Sequence, residues 1–314
     1  MITFLSSPKA FSGPADIIQR NAILSWKKTH PRAEVIIYGD SVGTANVCHE
    51  LEVQHVPDIQ CSPSGVPYFN GIVEHARLHA RYDIQVYLNS DILMSPMVIS
   101  LPGQIGFSSF LIVGQRLDLS EGICVDMAEA GWQNELAQLA QTNGVELHGP
   151  SGTDYFIFTR GLWKGLSPLV IGRAGYDGAL LAYCLRKNVP IIDATYSLPA
   201  LHQFHGYGHV VGAVKEVFLG EDATNNKTLH GIKHSAPLIS DSTWRLNEGR
   251  LLADPARGDY VRRLELYVRF NKRWETSALL IRGIWRFFDF LGLIRSRAGS
   301  LHEILRSYSE IGRS

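Results

Sequence analysis

Gln85-Val86-Tyr87-Leu88-Asn89-Ser90-Asp91 is a short apolar run that ends in a polar triplet closing on a carboxylate. The run reads as a buried strand. In α/β proteins ligands bind beyond the carboxyl ends of such strands, and an acid placed there can hold a divalent cation against phosphate.

Upstream of the run, strands alternate with helices. A strand over 2–6 is followed by a helix over about 14–28, with Ser12 as its cap and Pro14 in its first turn. A strand over 34–38 closes on Gly39-Asp40. A short helix near 45–50, a strand near 53–56 and a Pro/Ser/Gly-rich loop over 57–67 come next. A helix over about 71–82 then feeds the opening strand. This βαβ alternation predicts a doubly wound, mostly parallel sheet flanked by helices.

Downstream the pattern loosens, with strand-like residues near 104–115 and a polar helix near 126–142. Ser151-Gly152-Thr153-Asp154 then introduces Tyr155-Phe156-Ile157-Phe158, an apolar run expected to be buried on both faces. Leu180, Leu181, Cys184 and Leu185 share one face of a helix over 176–186, which Asn188 ends before a strand over 189–193.

The chain has 314 residues, 45% of them hydrophobic, and a formal net charge of zero. That balance argues against a general nucleic-acid binder. The charge is unevenly spread, with 14 Lys/Arg against 8 Asp/Glu from Arg245 onward and 16 against 22 before it. We therefore expect a main domain over 1–235 and a basic, aromatic-rich helical extension over 236–314. Cys48, Cys61, Cys124 and Cys184 have no CxxC or zinc spacing, which suits buried small hydrophobes in a reduced compartment. There is no basic n-region with a long apolar stretch at the start and no run of about 20 apolar residues. A cytoplasmic protein is expected, at the inner face of the membrane if the tail docks there. In that tail, 277–295 carries Leu, Ile, Trp and Phe among Arg282, Arg286 and Arg295, a pattern that suits contact with a membrane surface or packing on protein.

Asp40, Asn89-Ser90-Asp91, the loop 151–154, Gly175-Tyr176-Asp177 at a helix start and the histidine-dense stretch 201–209 follow one another in order. Each alone admits a plain reading as a turn or cap residue. Their order resembles the GT-A class of nucleotide-sugar-dependent glycosyltransferases, over roughly 1–235. The resemblance implies a GT-A-like α/β fold and transfer of a sugar from a nucleotide-diphosphate donor to a glycan or lipid-linked acceptor in surface polysaccharide assembly. It implies Mn²⁺ or Mg²⁺ on Asp91, with His202 first and His205 second to complete the sphere; imidazole favours manganese. Asn89-Ser90-Asp91 resembles the Asp-x-Asp motif but lacks its first acid, so only Asp91 carries over as a charged ligand. Asn89 and Ser90 are expected to touch the donor.

The same resemblance makes Asp177 the catalytic base of an inverting reaction, with Asp154 competing for that role. Ser6, Ser7 and Asp40, after the first two strands, are placed for base and ribose. Arg77 and Arg81, four apart on one helix face, offer a cation to the base or phosphate. Two other classes compete, a nucleotidyltransferase that makes the sugar nucleotide and a non-catalytic carbohydrate-binding scaffold. No GxGxxG follows the first strand and no GxxxxGK[ST] occurs.

Overall fold

The computed structural model describes residues 1–204, 211–232, 236–247, 249–253, 264–266, 268, 280–281, 283–284, 287 and 300–311. In chain order the elements are β1 (Ile2–Ser6), α1 (Pro14–Lys28), β2 (Glu34–Tyr38), α2 (Thr44–Glu50), β3 (Gln54–Val56), α3 (Phe69–His79), β4 (Ile84–Leu88) and β5 (Ile92–Met94). Then come β6 (Leu111–Val113), β7 (Leu117–Leu119), α4 (Trp132–Gln141), β8 (Val145–Leu147), β9 (Tyr155–Thr159), α5 (Tyr176–Arg186), β10 (Ile191–Asp193) and β11 (Ala200–His202). Helices α6 (Val211–Leu219) and α7 (Glu221–Leu229), strands β12 (Trp244–Asn247) and β13 (Arg250–Ala253), and a C-terminal helix, Leu301–Ile311, complete the described chain.

Among the described residues the larger sheet runs β13-β12-β10-β6-β9-β4-β1-β2-β3. Strand β1 pairs in parallel with β2 and β4, and β2 with β3. Strand β9 runs antiparallel between β4 and β6, while β6, β10 and β12 run with the parallel set. The expected doubly wound, mostly parallel sheet is therefore present.

Both faces of its central strands are covered, which is why they read as unbroken apolar runs. Leu5, Ile36, Tyr87, Phe156 and Phe158 face α3 and α5, while Phe4, Ile37, Val86, Leu88 and Ile157 face α1 and α2. On α1, Gln19, Ala22, Ile23 and Trp26 are buried, the spacing of one helical face. The expected cap by Ser12 does not form: Gly13, at φ 55°, takes the N-cap and Pro14 enters the first turn without needing its missing N–H.

A cluster of rings fixes the entrance to α5. Tyr176 meets Phe69, Phe156 and Tyr87 at 5.6, 5.7 and 6.2 Å between ring centres, mostly edge to face. Such pairs add about 0.5–1.5 kcal/mol each beyond their buried area. Tyr87 lies on the strand that leads to Asp91, so the same packing sets the start of α5 against the end of β4.

A second, smaller sheet runs β5-β11-β7-β8. It packs on α4 and the C-terminal helix through Leu93, Leu117, Leu136, Ile304 and Tyr308. The helix is anchored where Tyr308 donates to the Thr195 carbonyl at 2.6 Å and Ser307 to the Tyr196 carbonyl at 2.7 Å. Residues on both sides of the expected boundary at 235/236 thus meet: β12 extends the large sheet beside β10, and the last helix closes the small one. The helix expected over 126–142 starts only at Trp132, after Gly131 at φ 91°, and the strand expected near 104–115 narrows to β6. Among the described residues no helix is long and apolar enough to cross a membrane.

Candidate active site

The triplet after β4 is held from two sides. Asn89 N–H donates to the Asp154 carbonyl at 2.9 Å, carrying the β4–β9 ladder one step further, and Asn89 Nδ2 donates to Asp154 Oδ1 at 2.7 Å. An acid at position 89 would set two carboxylates at that distance, so the amide suits this neighbour where a second Asp would not. Ser90 Oγ donates to Gln19 Oε1 at 2.8 Å, and that oxygen also accepts from Lys9 N–H at 2.8 Å. The buried Gln19 therefore ties Ser90 to the loop after β1. Gln203 donates from its backbone and side chain to the Asp91 carbonyl at 3.2 and 3.3 Å.

The small sheet brings the remaining groups to Asp91. Strands β11 and β7 are parallel neighbours whose register sets His202 opposite Asp118. His202 Nδ1 lies 3.1 Å from Asp118 Oδ1, and its Nε2 lies 3.6 Å from Asp91 Oδ2. Burial alone would lower the His202 pKa; hydrogen bonds to Asp118 and Asp91 outweigh it and raise the value to about 9. Asp118 also accepts from Arg116 Nε at 2.7 Å and pairs through Oδ2 with His148 Nδ1 at 2.7 Å. Its burial opposes ionisation, yet these three partners hold its pKa well below the usual carboxylate range. Arg116 Nη1 reaches Asp154 Oδ2 at 2.5 Å. The polar side chains thus form a continuous path, Asn89 to Asp154 to Arg116 to Asp118 to His202 to Asp91, that begins and ends within one triplet.

Asp177 sits in the first turn of α5, which opens on Gly175 at φ 90°. Thr153 N–H donates to Asp177 Oδ2 at 3.4 Å, so the loop holding Asp154 also touches Asp177. Burial is the main reason that its pKa rises to about 6, and the Asp154 charge adds to it against the pull of the Thr153 amide and Arg116. Asp154 differs in surroundings. It is 7% exposed, and its two oxygens are taken by Asn89 and Arg116.

Asp91, Asn89, Asp154, Asp177 and His202 are therefore brought to one region, and Ser7 and Asp40 follow β1 and β2 on the same edge of the sheet. Ser6 is not free for a ligand: it is fully buried and donates to the Leu88 carbonyl at 2.8 Å. Arg77 is a correction. It stands in the last turn of α3, at the amino end of β4, and forms a bidentate pair with Glu74 at 2.6 and 2.9 Å. Arg81 lies at that same end, where its N–H donates to Glu34 Oε2 at 2.7 Å. Spacing placed the two arginines on one face but did not say which edge of the sheet that face serves. His205 lies outside the described residues. Arg116, Asp118 and His148 were not anticipated; the only sequence signal was an Arg-x-Asp pattern in a weakly strand-like stretch.

Among the described residues no three His, Cys, Asp or Glu side chains converge as a ready metal cage. The pair that fits a cation is Asp91 with His202. A carboxylate oxygen faces an imidazole nitrogen there, and the other ring nitrogen already faces a carboxylate.

No protein-family model matches the sequence, and no curated protein matches it. Solved structures similar to the chain include Staphylococcus aureus TarS 1–349 in complex with UDP-GlcNAc, at 14% identity and TM-score 0.49, covering 77% of this chain and 70% of that one. Glucosyl-3-phosphoglycerate synthase from Mycobacterium tuberculosis with Mg²⁺ and UDP is similar at 13% identity and TM-score 0.42, covering 73% and 79%. A mycobacterial protein is similar at 16% identity and TM-score 0.46, covering 73% and 74%.

Proposed function

We propose that this chain is a nucleotide-sugar-dependent glycosyltransferase of the GT-A type, metal-assisted and inverting, acting on a glycan or lipid-linked acceptor in surface polysaccharide assembly. The observation that carries the reading is the meeting of Asp91, His202, Asp154 and Asp177 beyond the carboxyl ends of the parallel strands, where a doubly wound sheet binds its ligands. Asp91 and His202 would hold Mn²⁺ or Mg²⁺. Bound there, the ion would neutralise charge that develops on the departing nucleotide diphosphate.

The residues of the chain divide the remaining work. Asp177 takes the proton of the acceptor hydroxyl as that oxygen bonds to the anomeric carbon; the bond from that carbon to the diphosphate breaks, and its electron pair leaves with the nucleotide. Asp154 is the poorer base, because Arg116 and Asn89 occupy its two carboxylate oxygens and leave neither turned to an acceptor hydroxyl. It serves instead to fix the loop that touches Asp177. Backbone groups at Ser7 and the exposed Asp40 are placed for base and ribose.

A panel of nucleotide sugars with Mn²⁺ tests this reading. One donor should be hydrolysed slowly without acceptor and should raise Tm, since ligand at a hundred times its Kd adds about 2.7 kcal/mol. Neither turnover nor stabilisation with any donor would sink it; formation of a sugar nucleotide from nucleoside triphosphate would favour a nucleotidyltransferase.

The acceptor side of the proposal includes membrane contact through 277–295. In support, Leu280 and Ile284, four apart, are 69% and 44% exposed, and the sequence around them supplies Arg282, Arg286 and Arg295. The full chain should float with anionic liposomes, and the double variant Leu280→Glu/Ile284→Glu, which leaves the packed helix Leu301–Ile311 intact, should not. Equal flotation by both would remove the membrane from the proposal.

A further inference from the structure

We infer that Asp118 is a positioning residue, which holds His202 in the orientation and tautomer that offer Nε2 to a divalent cation beside Asp91. The inference rests on the reading of Asp91 and His202 as the cation-binding pair. A neutral imidazole has one lone pair to give, so the other nitrogen must carry the proton, and whatever accepts that proton decides which nitrogen faces the ion. Here Nδ1 faces Asp118 at 3.1 Å and Nε2 faces Asp91 at 3.6 Å.

Asp118 is well fixed for this task and poorly placed for ligation itself. Oδ1 is shared between Arg116 Nε and His202 Nδ1, and Oδ2 is taken by His148 Nδ1. Arg116 is fixed in turn by Asp154, which Asn89 also holds. The register of β7 against β11 sets the two residues opposite one another through backbone pairing, before any side chain contributes. A carboxylate that orients a histidine commonly changes metal affinity by roughly 10–100-fold when lost.

The test uses the full chain labelled with ¹⁵N-histidine, with His202→Gln to assign the resonance. At a pH where the ¹⁵N shifts show the ring to be neutral, long-range ¹H–¹⁵N correlation should show the Nδ1-protonated tautomer in the wild type. Asp118→Ala should shift the ring to the Nε2-protonated form. Asp118→Asn, which keeps an oxygen acceptor, should retain the wild-type tautomer. Mn²⁺ alone, titrated by electron paramagnetic resonance, should bind the Ala variant roughly 10–100-fold more weakly and the Asn variant within a few-fold of wild type. Asp118→Ser, too short to reach the ring, serves where the Ala variant fails to fold. An unchanged tautomer and unchanged Mn²⁺ affinity in Asp118→Ala or Asp118→Ser would overturn the inference. If the wild type itself takes up no Mn²⁺, the cation-binding reading fails and this inference falls with it, while the tautomer signal tells that failure apart from one of Asp118 alone.

Discussion

Asp177→Asn should lower kcat by roughly 10²–10⁴-fold while leaving the affinity for the nucleotide-sugar donor near that of the wild type. The amide keeps the shape and can still accept from Thr153 N–H, but it cannot take a proton from the acceptor hydroxyl. The surroundings of Asp177 suit the base role. Its position at the start of α5 favours an anion, yet burial dominates and lifts the pKa to about 6, within reach of a general base at neutral pH. The wild-type kcat should therefore rise with pH along an acid limb centred near 6, and the limb should vanish in the Asn variant.

Stability gives an independent check with the opposite sign. The folded-state pKa exceeds the ordinary value of 3.8, so between about pH 4 and about pH 6 the native state holds the extra proton. Stability accordingly falls as pH rises through that window. The shift is on the order of 2 units, each about 1.4 kcal/mol, which sets a ceiling of about 3 kcal/mol that the remaining solvent contact lowers. Asp177→Asn escapes this cost, so above pH 6 its Tm should equal or exceed that of the wild type. A variant that is inactive yet no less stable loses chemistry and not folding. If transfer by the variant is normal, Asp177 is not the base and Asp154 takes its place.

The parts of this molecule that are legible in its sequence are those whose burial is local. Strands β1, β2, β4 and β9 are continuous apolar runs because helices cover both faces of the sheet, and α1 and α5 announce themselves through buried positions repeated at helical spacing. Asp91, Asp154 and Asp177 stand beside such elements, so their places follow once the elements are recognised. The small sheet is different. Strands β5, β7, β8 and β11 span three residues each and pair with partners tens of residues away, too short for alternation to register and joined by contacts that no local pattern encodes. Arg116 and Asp118, two of the six residues of the polar path, and His148 beside them lie on or next to those strands, and no local pattern marks them. Arg77 shows the converse limit, since helical spacing gives a face but not the edge of the sheet that it meets.

Asp91→Ala should abolish the metal-dependent part of donor binding, weakening it by roughly a hundredfold or more, a larger loss than removal of a carboxylate that only orients a ligand. Asn89 is committed to Asp154, Asp118 to Arg116 and the two histidines, and Asp154 to Asn89 and Arg116. Asp91 is the carboxylate whose Oδ2 faces His202 Nε2, at 3.6 Å. Removing it leaves an imidazole without the anionic oxygen that a hard divalent cation prefers. Calorimetry of donor binding with Mn²⁺ and with EDTA reads the effect directly. In the wild type the metal should strengthen binding; in Asp91→Ala the two titrations should coincide, with KM raised accordingly. The contrast with Asp177→Asn separates the two roles, for one variant loses donor binding and the other keeps it while losing transfer. If Asp91→Ala binds donor as the wild type does and still responds to Mn²⁺, the cation is held elsewhere, and the path from Asn89 to Asp91 is then a structural brace between the two sheets.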